Sequence, residues 1–270
     1  MKIPLYQVDS FTNEVFSGNP ACVVPLKEWL PDTILLKIAQ ENAVAETAFF
    51  VETENGFHLR WFTPDLEMDL CGHATLAAAF IIKTELNYSS KEIHFQTISG
   101  ELKVLFLDGQ YILDFPSRVA RPAELPIEIE KALNIQPTEV YKSRDFLLVY
   151  ASQEQVEQLK IDRTYFDQIN LGVGGVIVTA VGSKVDFVSR FFTPQATILE
   201  DPVTGSAHCS LIPYWSSSLG KRQLEAVQIS SRGGKLQCSL HKDRVLIGGQ
   251  AVLYSRGECY LKDLCISVID

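Results

Sequence analysis

The feature that most constrains this chain is an internal repeat. His58-Leu-Arg-Trp-Phe-Thr-Pro64 returns as Val188-Ser-Arg-Phe-Phe-Thr-Pro194, which matches Arg60, Phe62, Thr63 and Pro64 to Arg190, Phe192, Thr193 and Pro194 at an offset of 130. A few residues later each copy reaches a small-residue turn followed by an apolar stretch. The turns are Cys71-Gly72-His73-Ala74 and Thr204-Gly205-Ser206-Ala207. Each copy also reads in the same order: a helix-like segment, strands around Phe49-Phe50-Val51 or Val176 to Val181, a hairpin turn, the Arg-x-Phe-Thr-Pro strand end, then a buried helix. The shared order implies duplication.

The segment Ala74 to Ile82 is apolar on nearly every helical face, so a helix there must be enclosed by protein. Its counterpart from Ala207 to Trp215 is similarly apolar, and Pro213 is predicted to bend or shorten it. Between the copies, Pro116, Pro122, Pro126 and Pro137 mark a crossover, with a helix predicted within Leu125 to Asn134. These features predict an α+β protein of two pseudo-symmetric lobes, in which strands wrap two central helices. The first lobe is drawn over 1–116, completed by a C-terminal strand over 258–270, and the second over 117–257.

Composition permits such a core, with 46% of the 270 residues hydrophobic and 21% charged. A formal net charge of -9 without a basic run argues against nucleic acid as a partner. It leaves open an anion held locally by backbone N–H groups. Six scattered cysteines, with no C-x-x-C pair and no cluster with the histidines, read against a structural zinc site and fit reduced thiols in the cytoplasm. The N-terminus alternates like a strand and lacks the apolar run of a signal peptide. Ala74 to Ile82 stops at Lys83, short of the roughly 20 residues that span a bilayer, so a soluble protein without membrane contact is expected.

The two glycine turns are the candidate substrate site. A helix that opens after such a turn presents unpaired N–H groups and the positive end of its dipole to an anion. Related by a pseudo-twofold axis, two such ends can face each other across a cleft and hold a small carboxylate. A lone glycine more often serves a tight turn, and the stretch Asp201 to Ser206 alone reads as a proline turn and helix cap. His73 is by default structural, but in a first helical turn the dipole favours its neutral form, which can relay a proton. Glu46 is the only charge in the run Ala43 to Val51. Exposed, it is an element boundary. Buried, desolvation raises its pKa and makes it able to take and return a proton near neutral pH.

At these residues the chain resembles the PhzF-like family, named for phenazine biosynthesis, within the diaminopimelate-epimerase-like fold. The resemblance rests on Val8-Asp-Ser-Phe with Phe16-Ser-Gly-Asn-Pro20, Asn42 to Ala48, Asp69 to Thr75 and Glu200 to Ala207, in order along nearly the whole chain. It implies that each lobe is a strongly curved, barrel-like mixed sheet around its helix, with the active site between lobes and a homodimer. It also implies that Glu46 is the catalytic acid/base, that His73 and Asp201 assist proton movement, and that Ser206 helps hold the substrate. Amides of Gly72, His73, Gly205 and Ser206 would bind its carboxylate. The family's best-defined activity isomerises trans-2,3-dihydro-3-hydroxyanthranilate by proton migration, without metal or organic cofactor.

The repeat supplies a separate test. Epimerases of the wider fold use one cysteine from each half, but here Cys71 meets Thr204, and at the offset of 130 Glu46 meets Val176. One base on one side suits same-face proton transfer. Three readings follow: a Glu46-dependent isomerase, a Cys71-assisted epimerase, and a noncatalytic small-acid sensor or interaction module.

Overall fold

In the computed structural model, which describes residues 1–261, the duplicated plan becomes two lobes of one continuous sheet. The first lobe orders its strands Ala251–Tyr260, Lys2–Ser10, Asn19–Leu26, Glu46–Thr53, Gly56–Phe62, Glu92–Thr97, Gly100–Leu107 and Gln110–Pro116. Gln110–Pro116 then pairs with Arg244–Gly249 of the second lobe. From there the order runs Gly234–His241, Gln223–Gln228, Phe187–Phe192, Val176–Val181, Phe146–Val149 and Glu139–Lys142. The C-terminal strand that completes the first lobe therefore begins at Ala251, ahead of the boundary drawn at 257, and residues 262–270 lie outside the described residues.

Parallel neighbours need a crossover, and both lobes place theirs alike. Gly56–Phe62 leads through the helix Gly72–Thr84 to its parallel partner Glu92–Thr97. Phe187–Phe192 leads through the helix His208–Leu219 to Gln223–Gln228. The first of these helices is buried except at Phe80, Lys83 and Thr84. It touches Lys2–Ser10, Asn19–Leu26, Glu46–Thr53, Gln110–Pro116 and Ala251–Tyr260, strands from both ends of the lobe's order, which only a strongly curved sheet allows.

Pro213 neither ends nor shortens the second helix, which continues to Leu219. Proline has no N–H for the carbonyl of Cys209 one turn back. That carbonyl instead accepts the backbone N–H of Arg118 at 2.8 Å, so the crossover segment supplies the missing bond. The crossover helix forms over Ile127–Ala132, inside the predicted span. Among the described residues no helix is long and apolar enough to cross a membrane, and the five described cysteines are free.

The repeated arginines hold short return strands in place. Arg60 grips Glu67 through two bonds of 2.7 Å on the strand Glu67–Met68. Arg190 grips Glu200 at 2.7 and 2.9 Å on the strand Glu200–Asp201, and also donates to the carbonyls of Val156 and Leu159. Arg190→Met strands a half-buried carboxylate and two carbonyls, with an expected cost of about 3 kcal/mol in urea unfolding. Arg60→Met is expected to cost less, because the further partner of Arg60, Asp32, is 72% exposed.

Candidate active site

The two glycine turns touch. A Cβ on Gly72 would lie 2.7 Å from the Cα of Gly205, and one on Gly205 2.8 Å from that of Gly72. The first helix starts at Gly72 itself, whereas Gly205 to Ala207 form a tight turn whose carbonyls accept the N–H groups of His208, Cys209 and Ser210. Among the described hydrogen bonds, the amides of Gly72, His73, Gly205 and Ser206 donate to no protein acceptor. All four residues line a cavity of about 390 Å³ between the lobes. Thr63 and Pro64 from one repeat and Thr193 and Pro194 from the other form its rim. Asp65 accepts bonds from the N–H and hydroxyl of Thr197 at 3.2 and 3.0 Å, tying the two rim loops together.

Glu46 opens the strand Glu46–Thr53, the element boundary that the bland reading allowed, but its side chain is only 12% exposed and faces this cavity. Its Oε2 lies 3.1 Å from Nε2 of His73. The approach lacks hydrogen-bond geometry, so both atoms stay buried without a hydrogen-bond partner. On the ring's far side, Nδ1 meets Nδ2 of Asn19 at 2.9 Å and Sγ of Cys71 at 3.6 Å. Asn19 Nδ2 also reaches Asp201 Oδ1 at 2.6 Å and the Val203 carbonyl at 2.9 Å. An amide nitrogen has two hydrogens, so one of the three approaches is a contact only. The other oxygen of Asp201 accepts the Thr204 hydroxyl.

Charge within this group is set by burial and proximity. Burial works against a charged His73, while the hydrogen-bonding Cys71 sulfur and the Glu46 carboxylate favour it, and the balance moves the imidazole upward from its ordinary range. An acid 3.1 Å away thus opposes the neutral form that the helix dipole favours. Burial pushes the Cys71 thiol up to about 11, with Glu46 adding to the effect, so a thiolate is scarce at neutral pH. Burial also raises Asp201 to about 6, against the lowering influence of His73 and of the bonds from Thr204 and Asn19.

The sheet register corrects one detail of the repeat. Thr47 pairs with Phe62, and Val176 with Phe192, so the strand counterpart of Glu46 is Gly175 and not Val176. A Cβ on Gly175 would fall 2.4 Å from the ring of Phe191, a cavity-lining side chain. The repeat position of Glu46 in the second lobe therefore carries no side chain that could transfer a proton.

Glu46, Cys71 and His73 are also the one trio among the described residues with ligand atoms all within 4.8 Å of one another. As arranged they do not suit a shared ion. The sulfur faces Nδ1 and the carboxylate faces Nε2, nitrogens that diverge from one ring, and the thiol resists the deprotonation that ligation requires.

The model for phenazine biosynthesis-like proteins, PhzC-PhzF, matches residues 8–257. The chain belongs to this family. An uncharacterized isomerase of Pseudomonas aeruginosa is 44% identical over 262 residues, 97% of this chain and all of the relative. The crystal structure of a PhzF-family phenazine biosynthesis protein from Enterococcus faecalis superposes with a TM-score of 0.90 at 46% identity, covering 97% of this chain and all of that one. A hydroxyproline epimerase from Agrobacterium vitis, with a TM-score of 0.65 and 10% identity over 97% of this chain and 94% of its own, shares the fold. Family and named relatives together support an isomerase-type enzyme.

For this member of the family, the structure brings Glu46, Gly72, His73, Asp201, Gly205 and Ser206 around one cavity. Sequence reasoning gave no role to Asn19, although it sits in a quoted motif, nor to Gln228. The latter accepts the N–H of Thr204 at 2.8 Å and donates to the Asp201 carbonyl at 2.6 Å. Only the fold brings such distant polar residues to the turn.

The raised Asp201 pKa has a measurable consequence. The unfolded carboxyl ionises near 3.8 and the folded one near 6, so protonation favours the fold. That contribution is fully present below the unfolded value and is lost as pH rises through the folded one. Asp201→Asn stays neutral, so between about pH 4 and pH 7 it is expected to lose on the order of 2 kcal/mol less stability than wild type. Chemical unfolding of both proteins across that range measures the difference.

Proposed function

We propose that this protein is a cofactor-independent isomerase in which Glu46 alone moves a proton within a small carboxylate-bearing substrate. The observation that carries this reading is the placement of the Glu46 carboxylate beside His73 in a cavity floored by four unpaired amides. The amides of Gly72, His73, Gly205 and Ser206 take the substrate carboxylate, aided by the helix dipole of Gly72–Thr84. The carboxylate so held turns a C–H bond conjugated to it toward Glu46. Glu46 removes that proton, the electron pair spreads into the conjugated system, and the same carboxyl returns the proton to a different carbon.

His73 balances negative charge as the proton moves. Asp201, half-protonated near pH 6, offers a second donor beside it. Return to the same face follows from a single base, since the repeat counterpart of Glu46 is Gly175, which carries no proton-transfer group. A cysteine-based inversion is disfavoured, because Cys71 remains a thiol and its counterpart Thr204 spends its hydroxyl on Asp201. Ring acids of the dihydro-hydroxyanthranilate kind match this chemistry, and a homodimer is the expected assembly.

The test is incubation with a library of small unsaturated or amino-bearing carboxylates in heavy water, read by mass and NMR. Label is expected in at least one acid. Binding of acids without label in any of them would favour the noncatalytic reading.

A further inference from the structure

The symmetry that relates the lobes gives every wall of the cavity a counterpart. Cys22 lies beside Thr47 in one parallel pair, and Phe146 beside Val176 in the other. With Thr47 equivalent to Val176, Asn19 and Pro20 correspond to Ser143 and Arg144, and His73 corresponds to Ser206. Where the Asn19 amide meets the His73 ring at 2.9 Å, Nη2 of Arg144 donates to Oγ of Ser206 at 3.0 Å. Arg144 is the one lysine or arginine lining the cavity among the described residues.

Its guanidinium is held rigidly. Nε and Nη2 bond both carboxylate oxygens of Asp145 at 3.0 to 3.2 Å. The Asp145 side chain is 1% exposed and accepts the N–H of Gly175, the repeat counterpart of Glu46, at 2.9 Å. Across the lobe boundary, Nη1 lies 3.4 Å from Asp69.

We propose that Arg144 is a positioning residue that makes Ser206 a selector for a carboxylate. This rests on the isomerase reading of the same cavity. A hydroxyl has one proton and two lone pairs, whereas arginine can only donate. Ser206 therefore accepts from Arg144 and keeps its own proton for another partner. No protein acceptor takes that proton among the described hydrogen bonds. A charged donor also polarises the hydroxyl and strengthens the bond it gives. The relay Gly175 to Asp145 to Arg144 to Ser206 thus biases the hydroxyl toward donation, which either oxygen of a carboxylate can accept but only one of the two polar atoms of a carboxamide can.

The test compares 2-aminobenzoate with its neutral near-isostere 2-aminobenzamide by titration of wild type, Arg144→Lys, Ser206→Ala and the double variant. Lysine keeps a cation beside buried Asp145 but lacks the fork needed to serve Asp145 and Ser206 together. Each single substitution is expected to weaken acid binding about tenfold and to leave amide binding within about twofold. The double variant is expected to be no weaker than the weaker single variant, because both act through one hydroxyl. Equal losses for acid and amide, unchanged selectivity with only a lowered melting temperature, or multiplying losses in the double variant would overturn the proposal alone. No acid preference in wild type would overturn the carboxylate site itself, and the proposal with it.

Discussion

Glu46→Gln is expected to slow solvent deuterium incorporation into substrate by on the order of 10³-fold, the loss that follows removal of a general acid/base. The substitution keeps the shape of the side chain and removes only its ability to accept and return a proton. Ground-state binding is expected to survive within about threefold, because the substrate carboxylate is held by amides and not by Glu46. The signature is therefore a fall in kcat with KM nearly unchanged. Cys71→Ser separates the alternatives, since a thiol pushed to about 11 contributes little thiolate near neutral pH. That variant is expected to retain label incorporation within about tenfold of wild type. An epimerase working through Cys71 would reverse the two results, with Ser abolishing exchange and Gln sparing it.

The fold was legible because duplication is a property of the sequence itself. The paired Arg-x-Phe-Thr-Pro ends and the two apolar runs announce two lobes around two helices, and the sheet obeys both. What failed were distances along the chain that depend on loop length. The offset of 130 holds at the strand ends, but the first hairpin pairs Thr53 with Gly56 and the second Val181 with Phe187, so the register shifts before Glu46. That Pro213 does not shorten its helix was not legible, because the compensating donor, Arg118, lies remote in sequence. The upward pull on His73 was hidden for the same reason: a dipole is local and visible in sequence, while an acid on another strand is not. Arg144 carried no signal at all, because its meaning lies in a relay through Asp145 and Gly175 that exists only once the strands pair.

Gly205→Ala is expected to destabilise the fold by about 3 kcal/mol or more and to abolish carboxylate binding, as is Gly72→Ala. A new Cβ at either position would meet backbone 2.7 to 2.8 Å away, well inside any real contact distance. The obstacle is no flexible side chain that can turn aside. It is the backbone of the other glycine turn, which leads into a central helix packed within its own curled sheet. Relief requires the lobes to separate at this crossing, which would also pull apart the amides that form the anion site. Gly257 is the control, because its added Cβ would meet nothing within 4 Å. Gly257→Ala is expected to change stability by about 0.5 kcal/mol or less, measured by urea unfolding alongside the other two. Glycine at the crossing is thus required by the approach of two backbones, and the same approach brings both sets of unpaired N–H groups to a single anion.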